Sequence, residues 1–328
     1  MRARPSLGRA ILYLLMLAIA VIVVLNWTYG RLPTTPHATG RFLKVDGLNI
    51  RYLETPGAEP AVLFLHGQPG TAEDFERIAP LLAGRRTIAI DRPGYGFSSG
   101  GYHDYKSQLA VISGVLSRLG VHRVVVAGHS YGGTLAIGYA ETRPAGLVGL
   151  VLLDAAATCS HVSGYERVQA RLVKALELPV IAQVADLTFS QLTRKVLAES
   201  AEKEAFSPDP VDPRHQHRLL SINLKHGNLE AYAGEALAAN GVIRQINSGL
   251  SGIATPTVVI QGSKDKLVHP QCGLALAGDI HGARTELVSG GHMTPYTHAP
   301  QAAAAIQELA ARAAATQRRA AARAPARG

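Results

Sequence analysis

One serine in this chain has a setting that could make it a nucleophile: Gly128-His129-Ser130-Tyr131-Gly132-Gly133. An apolar run, Val121 to Ala127, precedes it, and a helical pattern from Thr134 to Glu141 follows. Strand, tight turn and helix in that order are what a nucleophile elbow requires. Such a turn strains the backbone at the serine and leaves no room for side chains two residues away. Gly128 and Gly132 fill those places, and Gly133 lets the helix pack close to the strand. The hydroxyl then stands at a helix N-terminus, which favours developing negative charge. A serine hydroxyl is a weak nucleophile near neutral pH, so it needs a base, and the base needs an orienting group.

For a serine on such an elbow the chain order is serine, acid, histidine. Asp265 lies in the loop Gln261 to Val268, after an apolar run Thr257 to Ile260. His292 lies in Ser289-Gly290-Gly291-His292-Met293, after Thr285 to Val288. Both loops leave the carboxyl ends of strands, so both can reach a point above Ser130. We expect His292 to act as general base and then general acid, with Asp265 orienting it. Asp154, at the end of the run Val148 to Leu153, is the alternative acid. The oxyanion hole is expected in His66-Gly67-Gln68-Pro69-Gly70, directly after Ala61 to Leu65. Its donors would be the backbone N–H groups of Gln68 and Tyr131, because Pro69 has none. Each such donor typically contributes about 3 kcal/mol to the transition state. Gly67 and Gly70 allow close approach of backbone to substrate, and His66 is expected to be structural. Asp91, in Asp91-Arg92-Pro93-Gly94-Tyr95-Gly96, falls outside that chain order and is assigned to the turn. His281 and His298 have no comparable placement. His215 and His217 lie between Arg214 and Arg218, which would repel a metal ion. No H-E-x-x-H or C-x-x-C motif occurs, so neither a metal nor a cofactor is expected.

Short apolar runs alternate with helical patterns, which implies an α/β fold with a mostly parallel sheet covered on both faces. Two extended segments, Phe42 to Val45 and Leu48 to Leu53, flank Asp46-Gly47, a strong hairpin signal. Between Asp154 and Thr255 the strand pattern stops. Val168, Leu172 and Leu176 recur at helical spacing, as do Leu229, Ala233 and Leu237. This stretch reads as a helical cap over residues 155–252. The core takes residues 41–154 and 253–316, and 317–328 reads as an unpacked basic tail.

The 328 residues are 47% hydrophobic and 17% charged, enough apolar material for a full core. The net charge of +9 is concentrated at the ends. Arg2, Arg4 and Arg9 lie near the start, and residues 301–328 hold five arginines against Glu308. The near-neutral remainder argues against nucleic-acid binding, which needs a basic face on the folded part. Two cysteines, Cys159 and Cys272, exclude a disulfide scaffold or a thiolate zinc site. Both follow strand ends, so a bridge between them is one reading, and two buried free thiols are the expected one.

Residues 10–27 carry no charge. As a helix they span roughly 27 Å, close to a hydrocarbon core. Trp27 and Tyr29 mark one end and Arg2, Arg4 and Arg9 the other. The positive-inside rule then keeps residues 1–9 in the cytoplasm and puts the body on the opposite, extracytoplasmic side. Residues 10–29 are expected to be an uncleaved anchor and 30–40 a linker. The alternative is a cleaved secretory signal, with the body secreted, since Ala18-Ile19-Ala20 resembles a cleavage site.

Taken in order, HGQPG, DRPGYGFS, GHSYGG, GSKD and GGHM resemble the α/β-hydrolase superfamily over about residues 42 to 312. The resemblance implies an eight-stranded sheet, a lid inserted after the sixth strand, and a Ser-His-Asp triad. The HGxPG loop is similar to that of epoxide hydrolases and proline iminopeptidases. Epoxide hydrolases use an aspartate nucleophile, whereas this chain has Ser130, which argues against epoxide or haloalkane hydrolysis. The anchor and lid together resemble membrane-bound monoacylglycerol lipases and related esterases. The reaction this implies is cleavage of a carboxylic ester with an apolar acyl group, through an acyl-enzyme. A proline-iminopeptidase-like enzyme, a C–C bond hydrolase, an acyltransferase and an inactive binding protein are the alternatives.

Overall fold

A computed structural model describes residues 7–323. All eight expected strands form, and they make one sheet. They are β1 (Arg41–Val45), β2 (Leu48–Thr55), β3 (Ala58–Leu65), β4 (Arg85–Ile90), β5 (Val124–His129), β6 (Leu147–Leu153), β7 (Thr257–Gly262) and β8 (Arg284–Val288). Their spatial order is β1-β2-β4-β3-β5-β6-β7-β8. β1 and β2 pair antiparallel, as do β2 and β4, and every later pairing is parallel. Asp46 and Gly47 turn the first hairpin with φ of 48° and 83°, the left-handed conformations a two-residue turn needs.

The sequence explains which strands are central. β5 is buried at every position and β3 at its last six, as continuous apolar runs in a doubly covered sheet should be. One face packs on α2 (Tyr105–Arg118), α3 (Tyr131–Glu141) and α9 (Pro270–Asp279). The other packs on α11 (Ala299–Arg323), through Ala302, Ile306 and Leu309. From β3 the chain steps to β4 on one side and then returns to β5 on the other. In open α/β sheets such a reversal, at the carboxyl ends of the flanking strands β3 and β5, is where ligands bind. Ser130 and the His66–Gly70 loop leave those two strand ends.

Between β6 and β7 lie α4 (Gly164–Leu176), α5 (Pro179–Thr188), α6 (Ser190–Phe206), α7 (Pro213–Arg218) and α8 (His226–Asn247). These helices are the cap. α8 joins it to the core: Ala233 and Ala236 pack on Ala170 of α4, while Val242 and Ile246 belong to the core under the sheet. A short helix α10 (Thr294–Thr297) precedes α11. At the other end of the chain, α1 (Leu7–Tyr29) is a single apolar helix of mean hydropathy 2.6 that the rest of the protein leaves almost uncovered.

Two findings depart from the sequence reading. Cys159 and Cys272, expected as free thiols, form a disulfide with an S–S distance of 1.98 Å. The reason is topological. β6 and β7 are neighbours, so the loop after β6 and the start of α9 after β7 share one end of the sheet. There the two Cα atoms lie 5.2 Å apart. Secondly, α11 continues to Arg323, through much of the stretch read as an unpacked tail. Its alanines are the strongest helix formers, so the helix outlasts its buried face. Residues 324–328, like residues 1–6, lie outside the described residues.

Candidate active site

Ser130 sits between the last residue of β5 and the first of α3, with φ 51° and ψ −121°. A residue with a side chain rarely adopts this conformation, and such strain clusters at functional positions. The neighbouring glycines have no alternative. A Cβ on Gly132 would lie 2.1 Å from the Leu65 carbonyl oxygen, and one on Gly128 would lie 2.4 Å from the Gly132 carbonyl oxygen. A Cβ on Gly133 would meet that of Ala155 at 2.4 Å. The elbow is therefore wedged against both the His66–Gly70 loop, the expected oxyanion hole, and the end of β6.

The base and acid expected from the sequence are joined. His292 Nδ1 donates to Asp265 Oδ2 at 2.8 Å, which leaves Nε2 as the nitrogen free for proton transfer. Asp265 also accepts from Leu267 N at 2.8 Å, Val268 N at 2.9 Å and Gln261 Nε2 at 3.1 Å. These bonds and the neighbouring imidazole hold its carboxyl below the ordinary value, against its burial. His292 is raised above its ordinary value: burial opposes the cation, but Asp265 and Asp154 together outweigh it. Among the described residues the Ser130 hydroxyl has no hydrogen bond. Bonds from nucleophile to base are often loose before substrate binds and tighten in the complex.

Asp154 lies beside this pair but faces elsewhere. Its Oδ1 accepts from Gly262 N at 2.8 Å, and its Oδ2 from Thr294 N at 3.2 Å and Thr294 Oγ1 at 2.6 Å. It ties the end of β7 to the start of α10 and so frames the His292 loop. Complete burial pushes its carboxyl up to about 7. The two aspartates should separate on substitution. Asp265→Asn is expected to cost about 10⁴-fold in kcat, because the imidazole loses its tautomer and orientation. Asp154→Asn is expected to cost less than about tenfold in kcat, since no bond reaches the ring. Steady-state kinetics of the two variants check this, and the reverse order would make Asp154 the acid.

His129, the residue before the serine, has a role that the sequence did not show. Its Nε2 donates to the His292 carbonyl at 2.8 Å and so fixes the backbone of the base. The ring is neutral, since burial and the nearby His292 push it down to about 3. His129, Asp154 and His292 also place their metal-capable atoms within 4.8 Å of one another. Asp154 is bonded through both its oxygens, whereas His129 Nδ1 is buried without a hydrogen-bond partner among the described residues.

The His66–Gly70 loop, where the oxyanion hole is expected, is held by Arg92. His66 is fully buried; its Nδ1 donates to the Gly67 carbonyl at 2.8 Å and its Nε2 accepts from Arg92 N at 2.9 Å. Arg92 grips the outward carbonyls, with Nε to His66 O and an Nη to Gly67 O, both at 2.9 Å. Its charge is met by Glu235 of α8, which also accepts from Tyr95 at 2.6 Å and Gln108 at 2.8 Å. Among the described residues neither Gln68 N–H nor Tyr131 N–H donates to a protein group. Gly70 admits no side chain, because a Cβ there would meet Asp74 at 2.5 Å. Asp91 serves the turn, accepting from Ala72 N and Phe97 N at 2.8 Å and pairing with Arg51 at 3.0 Å.

A second histidine that the sequence reading set aside is also inside. His215 of α7 lies between two carboxylates, Glu202 at 2.6 Å and Asp74 at 3.6 Å. They hold its cation up to about 9 despite burial. It joins the cap to the short helical turn beside the oxyanion loop. A folded-state value above the ordinary 6.5 means that this stabilisation is complete below about pH 6.5 and is lost as pH rises toward about 9. The melting temperature of the wild type is therefore expected to fall across that window relative to His215→Gln. Parallel scans at pH 6, 7.5 and 9 measure it, and parallel curves would refute it.

Residues 60–299 match the family model described as alpha/beta hydrolase fold. The chain belongs to that family. Its relatives are hydrolases of several kinds. A 2-hydroxy-6-oxononadienedioate/2-hydroxy-6-oxononatrienedioate hydrolase of Cupriavidus pinatubonensis is 29% identical, over 81% of this chain and 93% of its own. A haloalkane dehalogenase of Mesorhizobium japonicum is 26% identical, over 78% and 86%. Among solved structures, the enol-lactonase of Burkholderia xenovorans superposes with a TM-score of 0.68 at 20% identity, covering 82% of this chain and 99% of that one.

Proposed function

We propose that this hydrolase is a membrane-anchored serine esterase that cleaves carboxylic esters with an apolar acyl group. The Asp265–His292 pair, tied through the His292 carbonyl to His129 next to the strained Ser130, carries the reading. Ser130 Oγ attacks the acyl carbonyl as His292 Nε2 takes its proton, and the N–H groups of Gln68 and Tyr131 hold the oxyanion. Collapse expels the alcohol, which receives the proton from His292. Water, deprotonated by the same imidazole, then releases the acid. α1 is read as the anchor, with the cap and core on the extracytoplasmic side. The disulfide supports that side, since such bonds persist in oxidising compartments.

C–C bond hydrolysis is the second reading, favoured by the names of several relatives. Their dicarboxylate substrates carry charge that a site must meet. Here the buried Arg92 is already neutralised by Glu235, which favours the uncharged ester. The test is a series of p-nitrophenyl esters of increasing acyl length, run beside labelling with a fluorophosphonate probe. Ester turnover with Ser130-dependent labelling is expected, and its acid limb should lie above about pH 6.5 because His292 is raised. Turnover of a 2-hydroxy-6-oxo-dienedioate without any ester cleavage would favour the second reading. An unlabelled, inactive protein would overturn both.

A further inference from the structure

The cap presents an apolar face beside the end of α1. On α5, Val180, Val184 and Leu187 follow the i, i+4, i+7 spacing, with Ile181 beside them. All are exposed, Val180 by 75%, while Ala182 and Ala185 on the opposite side are buried. Leu178 and Phe189, at the two ends of the helix, are also exposed. The one charged residue of α5, Asp186, pairs with Arg194 of α6. On the adjoining α4, exposed Val168 and Leu172 are bordered by exposed Arg167, Arg171 and Lys174.

This face is locked to α1 by polar bonds. Asn26, 2% exposed, donates to the Asp186 carbonyl at 2.8 Å and accepts from Leu192 N at 2.9 Å. Trp27 Nε1 donates to the Leu187 carbonyl at 3.1 Å, and Lys195 donates to the Tyr29 carbonyl at 3.2 Å. Gly30 leaves no room between these parts, since a Cβ there would lie 2.6 Å from Leu192 N. Trp27 and Tyr29 are the residues that mark a membrane–water boundary. Whatever depth they take, α5 must share it.

We infer that the face formed by α4 and α5 lies in the headgroup–acyl boundary of the bilayer that α1 spans. The apolar stripe enters the acyl region by about 5–10 Å, and the basic border of α4 meets lipid phosphates. The inference rests on the reading of α1 as an uncleaved anchor. It specifies where that anchor holds the enzyme: with its cap on the lipid surface, so that esters dissolved in the bilayer are the substrates within reach.

Trp27 is the only tryptophan and is kept, because it holds α5. A second tryptophan is added, Val184→Trp or Leu287→Trp on β8, and each spectrum is read as the difference from the wild type. The full-length protein is reconstituted in vesicles of phosphatidylcholine with one-fifth phosphatidylglycerol, with and without lipid bearing a nitroxide at acyl carbon 5. Flotation after carbonate extraction reports the anchor separately. The expected result is vesicle-bound protein in which the tryptophan at 184 is blue-shifted and quenched at least twofold, while that at 287 is unaffected. Bound protein with a water-exposed, unquenched tryptophan at 184 overturns the inference and leaves the anchor standing. A blue-shifted but unquenched tryptophan that responds to protein dilution makes the face a contact between two copies and also overturns it. Protein stripped by carbonate refutes the anchor and the inference together.

Discussion

Ser130→Ala is expected to lower kcat/KM on a short p-nitrophenyl ester by about 10⁴-fold or more, with the fold unchanged. Removing the nucleophile of a triad typically costs about 10⁶-fold in kcat, and the residue left behind is binding and the oxyanion hole. Both supports are expected to survive, because the proposed donors, Gln68 and Tyr131, offer backbone N–H groups that the substitution does not touch. The elbow makes a second, opposite expectation. At φ 51° and ψ −121°, any side chain at 130 is strained, and alanine keeps its Cβ in the strained place. Strain of this kind is worth about 1–3 kcal/mol. Glycine relieves it, at an entropic cost of about 0.5–1 kcal/mol in the unfolded chain. Ser130→Gly should therefore be as inactive as Ser130→Ala but more stable than it by about 1 kcal/mol. Ester kinetics and urea unfolding of the two variants measure both. Full activity in Ser130→Ala would end the proposed mechanism, and a less stable Ser130→Gly would mean that the elbow stores no strain.

The fold was legible because its signals are local and agree with one another. Buried runs such as Ala61 to Leu65 can only be central strands, and Asp46-Gly47 can only be a tight turn. The elbow was legible for a steric reason that the structure makes explicit: Gly128 and Gly132 face backbone at distances no side chain tolerates. Asp265 and His292 could be placed because parallel strands end on one edge, so loop order maps onto position. What escaped were contacts made across the fold by residues without local distinction. His129 is the variable position of its motif, and its bond to the His292 carbonyl spans 163 residues. In the sequence His215 is only a cap residue among arginines, yet Glu202 and Asp74 reach it from two other elements. Glu235 lies in a helical pattern that does not reveal Arg92 as its partner. Pairings of this type depend on how the cap sits over the core, and periodicity carries no information about that.

The disulfide is the other long-range pairing, and reducing it should have the largest effect on stability. Cys159 and Cys272 are 113 residues apart, so the bond closes a loop holding the whole cap and β7. Chain-entropy arguments assign a loop of this length about 5 kcal/mol, nearly all from restricting the unfolded chain. Domains are stable by only about 5–15 kcal/mol, so that is a large fraction. A Cys159→Ser, Cys272→Ser pair, or the wild type in excess dithiothreitol, is expected to lose about 3–5 kcal/mol in urea unfolding. The loss should come with little change in the ester kinetics of the folded fraction, because neither sulfur touches Ser130, Asp265 or His292 in any hydrogen bond. A thiol titration of denatured, unreduced protein is the companion measurement and should find none. Two free thiols would remove the stabilisation and, with it, the best structural argument that the body lies on the oxidising side of the membrane. In the proposed orientation, with the cap on a bilayer, the bond is a covalent tie between the base of that cap and the helix that follows the Asp265 loop.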